Sequence, residues 1–351
     1  MTLENQKINS RERCLAAIRR QQTDRTPRDF QAEPPALNRL FAYLGHSDEQ
    51  RLLRQLDVDI RHINANFPSE LEIAAGVFQN FWGERYKYKD TPWGKMREDM
   101  PGALAGATTL DELKEFHWPS ADSFDYSDIR RLCRQYKDYA IIYGFADIWQ
   151  RPALVRGWEN MFIGMVEHPD WVHLLCRKFT DFYIEDYTRA ARTCPGQIDI
   201  FLVISDLGGQ DRPLISLEMF REFVAPYLKE MVEHIHRLGA FVMFHSCGNI
   251  HSFIEDFIEI GIDILDPIQP VTPEMSPERL KADYGDRLCF HGGIDLQRVL
   301  SGGSPEQVAS EVRRYCKILG DNGGYILAPC HLFQPDIPPE NILAFYSMPE
   351  I

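Results

Sequence analysis

Short apolar runs of four to six residues recur along this chain, each followed by turn residues and then by a longer amphipathic stretch, and this alternation limits the folds open to it. Read as strands, the runs are RDFQ (28–31), DIRHI (59–63), AIIY (140–143), IFLVI (200–204), FVMF (241–244), DILD (263–266), LCFH (288–291) and YILA (325–328). The intervening stretches place apolar residues three and four apart, the helical spacing. One runs over 161–191. Another runs from Ser216, a residue suited to capping, to Leu238, ending at Gly239. A third starts at Ser304-Pro305-Glu306, with proline at the first helical position. Nearly continuous apolar strands alternating with helices form a parallel sheet covered on both faces. Eight such units predict a closed (β/α)8 TIM barrel, formed by residues 1–351 as a single domain.

Residues 64–130 break the pattern. They follow the second strand and carry the aromatic run FQNFWGERYKYKDTPWG (78–94). They read as an insertion, a small hairpin with helices, serving either as a lid over the barrel mouth or as a peripheral packing elaboration.

Composition excludes several classes. A chain of 351 residues, 44% apolar and 26% charged, can bury a large core. A net charge of −14 opposes general nucleic-acid binding, which requires a basic surface. No run approaches the length of a membrane span, and the polar start MTLENQKINSRERCLAAIRR lacks the apolar core of a secretory signal, so a cytoplasmic protein is expected. Eight irregularly spaced cysteines are then thiols, and Cys14, Cys133, Cys176, Cys194, Cys289 and Cys316 are expected to be buried as small apolar residues.

In a TIM barrel the reactive groups project from the C-terminal ends of the strands, and here those ends are polar. They read Ser205-Asp206-Leu207-Gly208-Gly209-Gln210, His245-Ser246-Cys247-Gly248-Asn249, Asp266-Pro267-Ile268-Gln269-Pro270, His291-Gly292-Gly293-Ile294-Asp295 and Pro329-Cys330-His331-Leu332-Phe333-Gln334. Residues two apart in an extended segment face the same side, so His245 and Cys247 can converge on one point. A closed barrel would bring Cys330 across the mouth to meet them. One imidazole and two thiolates suit Zn²⁺, and three protein ligands with an open position describe a catalytic site. The bland alternative for His-x-Cys alone is a packed cysteine beside a satisfied histidine. Neither Gly208-Gly209 nor Gly292-Gly293 has phosphate-loop spacing.

With these residues in view, the chain resembles the uroporphyrinogen decarboxylase superfamily. The resemblance is densest over 205–250, in HGGID (291–295) and in APCHLFQPDIPPENILAFY (328–346). It implies a (β/α)8 barrel and one of two chemistries, cofactor-free decarboxylation of uroporphyrinogen or zinc-dependent methyl transfer with corrinoid proteins. His-x-Cys with a distant third cysteine, matched by His245, Cys247 and Cys330, marks the methyltransferase branch, which includes methylcobalamin:coenzyme M methyltransferases. The decarboxylase branch carries an arginine-containing Met-Arg-Gln-Ala-Gly-Arg segment near its N-terminus. The corresponding RTPRDFQAEPPALNRL (25–40) lacks it, and Arg28 and Arg39 are poor substitutes.

The resemblance therefore implies a zinc enzyme moving a methyl group between a corrinoid (cobalamin), carried by a partner protein, and a small substrate. That substrate is a thiol acceptor or an O-, N- or S-methyl donor such as a methoxylated aromatic. Asp206 is expected to orient the zinc-bound histidine or to cap the turn that follows it. His291 is expected to handle protons, with two glycines after it that would let a ligand approach, or else to be buried structurally. Gln269 and Gln334 are candidate substrate contacts. The alternatives are a metal-free decarboxylase, with Asp206 stabilising protonated pyrrole intermediates, and a non-catalytic corrinoid-binding barrel. Homodimers, common in the decarboxylase branch, are a further implication.

Overall fold

The computed structural model describes residues 8–347, Trp93 excepted. The first seven residues of the polar start, and the tryptophan near the end of the aromatic run, lie outside the described residues.

Seven parallel strands form one curled sheet: β1 (Ile60–Ile63), β6 (Ala140–Asp147), β7 (Ile200–Ile204), β8 (Phe241–His245), β9 (Ile264–Ile268), β10 (Cys289–Gly292) and β11 (Tyr325–Ile326), in that spatial order. Between β1 and β6 in sequence lie β2 (Leu71–Ala74), β3 (Val77–Gln79), β4 (Arg85–Thr91) and β5 (Gly94–Met100). Each strand of the sheet lies beside its predecessor, as right-handed strand–helix units require. RDFQ, the first expected strand, does not form a continuous ladder. Asp29 N–H bonds Leu327 O at 2.9 Å and Asp59 N–H bonds Arg28 O at 2.9 Å, but the one bridge it makes among the described residues is Arg28 with Leu327. Pro27 lacks an amide proton, and Pro34-Pro35 open the next helix four residues beyond Phe30, which leaves little chain free to pair.

Both faces of the sheet are buried, and strand parity sorts the side chains. Ile200, Leu202, Ile204, Ile60, Met243, Ile264, Cys289 and Ile326 share an inner core, whereas Phe201, Val203, Val242, Phe244, Leu265 and Phe290 pack outward in a larger one. The helix Ser10–Ile18 touches β1, β6 and β11 and contributes Cys14 and Ile18 to the inner core. It thus fills the concave face from the N-terminal ends of the strands, a role that sequence periodicity did not suggest.

Two long expected helices are each divided. The 161–191 stretch becomes Trp158–Glu167 and Pro169–Thr193, because His168 precedes a proline and adopts φ −141°, ψ 59°. Ser216–Leu238 becomes Leu217–Phe223 and Ala225–Arg237, with Pro226 in the second helix's first turn. Ser216 caps as expected, accepting from Met219 N–H, and Ser304 forms a reciprocal capping box with Gln307. All six cysteines expected in the core are buried, and the Cys133 and Cys194 sulfurs touch at 2.7 Å.

Residues 64–130 form more than the small hairpin expected of them. Strands β2 to β5 form an antiparallel meander, followed by helices Leu110–Glu115 and Ile129–Gln135. Trp82, 2% exposed, stacks on Phe179 of the long helix at 4.7 Å and 26°, fastening the meander to the helical layer.

Candidate active site

The inner face changes chemistry at the strand ends. Side chains two residues beyond Ile60, Met243, Ile264 and Cys289 must also point inward, and these are His62, His245, Asp266 and His291. Register then aligns neighbours, because His245 pairs with Asp266 across β8 and β9, and Leu265 with Phe290 across β9 and β10. An apolar inner layer is therefore capped by a titratable one.

That layer is a continuous row. His62 Nε2 meets Asp29 Oδ1 at 2.9 Å, and Asp29 Oδ2 meets His291 Nε2 at 3.2 Å. His291 Nδ1 meets Asp266 Oδ1 at 2.5 Å, and Asp266 Oδ2 meets His245 Nδ1 at 2.7 Å. His245 Nε2 then faces Cys247 Sγ at 3.4 Å. Burial would by itself raise both carboxylates, but the adjacent imidazoles hold Asp29 and Asp266 well below the usual range. Burial likewise opposes charging of the histidines and is overcome: Asp266 raises His245 well above its ordinary value, and Asp266 with Asp29 pushes His291 up to about 9.

At one end of the row, donor atoms of His245, Cys247 and His331 all lie within 4.8 Å of one another. Burial and the neighbouring His245 charge lower His331, favouring the neutral imidazole that a metal needs. Burial raises Cys247, with His245 pulling the other way. The donor set fits a metal on its chemistry, two imidazoles and a thiol, with the far nitrogen of His245 anchored on a carboxylate. Cys330, the expected third ligand, is not in the convergent set. It lines the same cavity, of about 400 Å³, together with Cys247, His331, Gln269 and Gln334. Burial pushes Cys330 up to about 12, opposed by a bond to the Leu296 backbone. His331, whose ring centre lies 5.8 Å from that of His245, takes the place expected for Cys330 in the convergent set.

The other expected residues act on the loops. Asp206 accepts from Cys247 N–H at 2.9 Å and stands 3.8 Å from His245 Nε2. Gln269 accepts from Gly248 N–H at 2.7 Å, while Gln334 donates to Leu332 O at 3.2 Å. The loops after β7 and β8 press backbone to backbone. A Cβ on Gly208 would meet Cys247 O at 2.4 Å, and Gly248, at φ +83°, would meet Gly209 O at 2.5 Å. The glycines after His291 serve packing and not ligand approach, since a Cβ on Gly293 would strike the Tyr315 ring at 2.5 Å. His291 itself is 5% exposed and in contact with Asp29 and Asp266, not with the donor atoms.

No described residue of 64–130 lines the donor cavity. Arg28 is buried with its guanidinium on the Leu56 and Tyr346 carbonyls, and Arg39 donates to Pro335 O. Sequence reasoning passed over Asp29, His62, Asp266 and His331. His62 and Asp266 could have been found from a titratable residue falling in strand phase with inward apolar ones; Asp29 and His331 carried no such signal. Among the described residues, no helix is long and apolar enough to cross a membrane.

Comparison with known proteins agrees with this architecture. A solved methyltransferase from Methanosarcina mazei superposes with a TM-score of 0.67, covering 97% of each chain at 15% identity, a likeness of fold. Uroporphyrinogen decarboxylase from Magnetococcus marinus is 24% identical over 67% of this chain and 66% of its own length. The enzyme from Chlorobium phaeovibrioides is 25% identical over 51% and 48% respectively, so the chain spans about half to two thirds of these relatives. The family model described as uroporphyrinogen decarboxylase (URO-D) matches residues 111–348, well over half of the sequence and all of the convergent donors, and the chain therefore belongs to the URO-D family.

Proposed function

We propose that this protein is a zinc-dependent methyltransferase that moves a methyl group between a corrinoid protein and a small thiol, ether or amine substrate. The observation that carries the reading is the convergence of His245, Cys247 and His331 within 4.8 Å, with His245 Nδ1 held by Asp266 at 2.7 Å. We also read segment 27–31 as the eighth stave closing the barrel around this site, on the strength of its backbone bonds to both neighbours.

Zinc held there would supply Lewis acidity, lowering the pKa of a thiol or polarising a methyl-bearing heteroatom. The chain's own residues do the rest. Asp266 fixes the ring of His245, Asp206 and Gln269 hold the backbone that presents Cys247, and Cys330 offers a further thiol on the cavity wall.

The names of the sequence relatives favour the decarboxylase reading. Against it, a substrate with many carboxylates needs several cations, and the one arginine among the described residues lining the donor cavity, Arg298, is paired with Asp295 at 3.0 Å. Protein purified without chelator should carry about one zinc per chain. It should also demethylate methylcobalamin in the presence of a thiol, and Cys247→Ala should lose both properties. Zinc-free protein that decarboxylates uroporphyrinogen would overturn the proposal.

A further inference from the structure

A second cavity, of about 600 Å³, lies between the meander and the C-terminal half of β6. Asn64 and Ala65, just beyond β1, also line it, so it opens at the same end of the sheet as the donor site but on other strands. Three of its rings pack together: the Phe81 and Phe124 centres are 5.2 Å apart, and Phe67 lies 5.8 Å from the first and 5.9 Å from the second. Phe67, 61% exposed, and Phe145, 56% exposed, leave much of their aromatic surface uncovered.

The walls hold three carboxylates, Glu70, Glu84 and Asp186, against two guanidiniums, Arg97 and Arg151. Both guanidiniums are committed to the same acid, Arg97 reaching Glu84 at 2.8 Å and Arg151 reaching it at 3.0 Å. Glu70, exposed at the rim, accepts from the Tyr86 and Tyr88 hydroxyls and has no ion pair among the described residues. Asp186, only 3% exposed, has none either. Its Oδ1 accepts from Tyr143 at 2.8 Å and from Tyr126 at 2.9 Å. Arg189, one turn along the same helix, is held by Asp122 and Glu185 at 2.6 Å each. Asp186 Oδ2 takes no hydrogen bond among the described residues, yet it is not one of the fully enclosed unpaired atoms, so it is accessible where Asp186 lines the cavity. Burial pushes Asp186 up to about 6 although both phenols pull the other way, as befits a carboxylate sunk in a wall with no cation to meet it.

We propose that this cavity binds a small organic ammonium ion, a protonated amine on an apolar body. An N–H of the ion donates to Asp186 Oδ2, a charge-assisted bond of the stronger kind, and the positive charge cancels the excess of one carboxylate in the walls. Ring faces attract the same charge through their quadrupoles and cover the apolar body. An anion would meet that excess of negative charge instead. A divalent metal fits less well, because hard cations gather about six oxygens and the buried wall offers one unpaired carboxylate oxygen. The inference does not depend on a metal at the donor site.

Calorimetric titration of the chelator-treated full chain at about pH 7.5, where Asp186 is ionised and benzylamine protonated, tests it. Benzylammonium should saturate one site per chain. Benzyl alcohol, with the same ring and no charge, should bind about tenfold or more weakly, and benzoate should not bind. Asp186→Asn should weaken benzylammonium about 10- to 100-fold and leave benzyl alcohol within about threefold. Should that buried variant fail to fold, Phe67→Ala, at an exposed position, should still lower benzylammonium affinity several-fold with the unfolding midpoint unchanged. Wild-type protein that does not bind benzylammonium, that binds benzyl alcohol or benzoate as tightly, or whose benzylammonium affinity survives Asp186→Asn or Phe67→Ala would overturn the proposal. Because the titration is done without zinc, failure of the methyltransferase reading leaves its result intact.

Discussion

Asp266→Asn removes the one carboxylate that touches both His245 and His291, while keeping its shape and one acceptor oxygen. In the folded protein His291 is pushed up to about 9 from 6.5, against the opposing effect of burial, by Asp266 and then Asp29. At about 1.4 kcal/mol per pH unit, the imidazolium there is favoured by roughly 3 kcal/mol, within the range of about 3–5 kcal/mol for breaking a buried ion pair. Metal-free variant protein should therefore be about 3 kcal/mol less stable than wild type in urea unfolding near pH 6. The sign of the pH dependence is fixed by the direction of the shift. A raised histidine contributes its full stabilisation below the unfolded value of 6.5 and loses it as pH climbs through about 9. Asp266 is lowered, so its share is present above the ordinary carboxylate range and is lost on acidification. The difference between wild type and variant should be largest near pH 5–6 and should shrink toward pH 9.5. A difference below about 0.5 kcal/mol, or one that stays constant over that range, would refute the claim that charge holds this row together.

Loss of Asp266 should also weaken zinc about 10- to 100-fold, measured by competition with a chromophoric chelator. The two candidate third donors separate by substitution: His331→Ala should cut zinc affinity at least as much as Cys330→Ala. Zinc affinity should rise with pH between about 6 and 9, by about tenfold per unit for each proton displaced, because burial raises the Cys247 thiol and Asp266 keeps His245 protonated. Gly208→Ala should cost about 1–3 kcal/mol and loosen the loop carrying Cys247, since the added methyl carbon would sit 2.4 Å from Cys247 O. Unfolding and zinc titration of that variant check both effects.

Much of the site was legible from strand phase. His245 and Cys247 follow Met243 at intervals of two, and only the inner face satisfies all three. His291 and Asp206 were identified correctly as strand-end groups, but their roles depended on contacts that spacing does not encode. His291 reaches Asp29, 262 residues away in sequence. The insertion was recognisable as an interruption but not as a four-stranded meander, because its alternation of charged and aromatic residues fixes neither the number of strands nor the surface they pack on. The division of the two long helices was encoded locally, in His168-Pro169 and Ala225-Pro226, and was hidden by an apolar periodicity that continues across both breaks.

The alternation of strands and helices along the chain and the His-x-Cys pair were determined by sequence alone, because each is a property of residues a few positions apart on one stretch of backbone. Which of Cys330 and His331 turns toward His245, and that two histidines and two carboxylates join it in an unbroken row, were decided by tertiary structure. Those contacts depend on the curvature and register that bring distant strand ends to one level, and no interval along the chain records them.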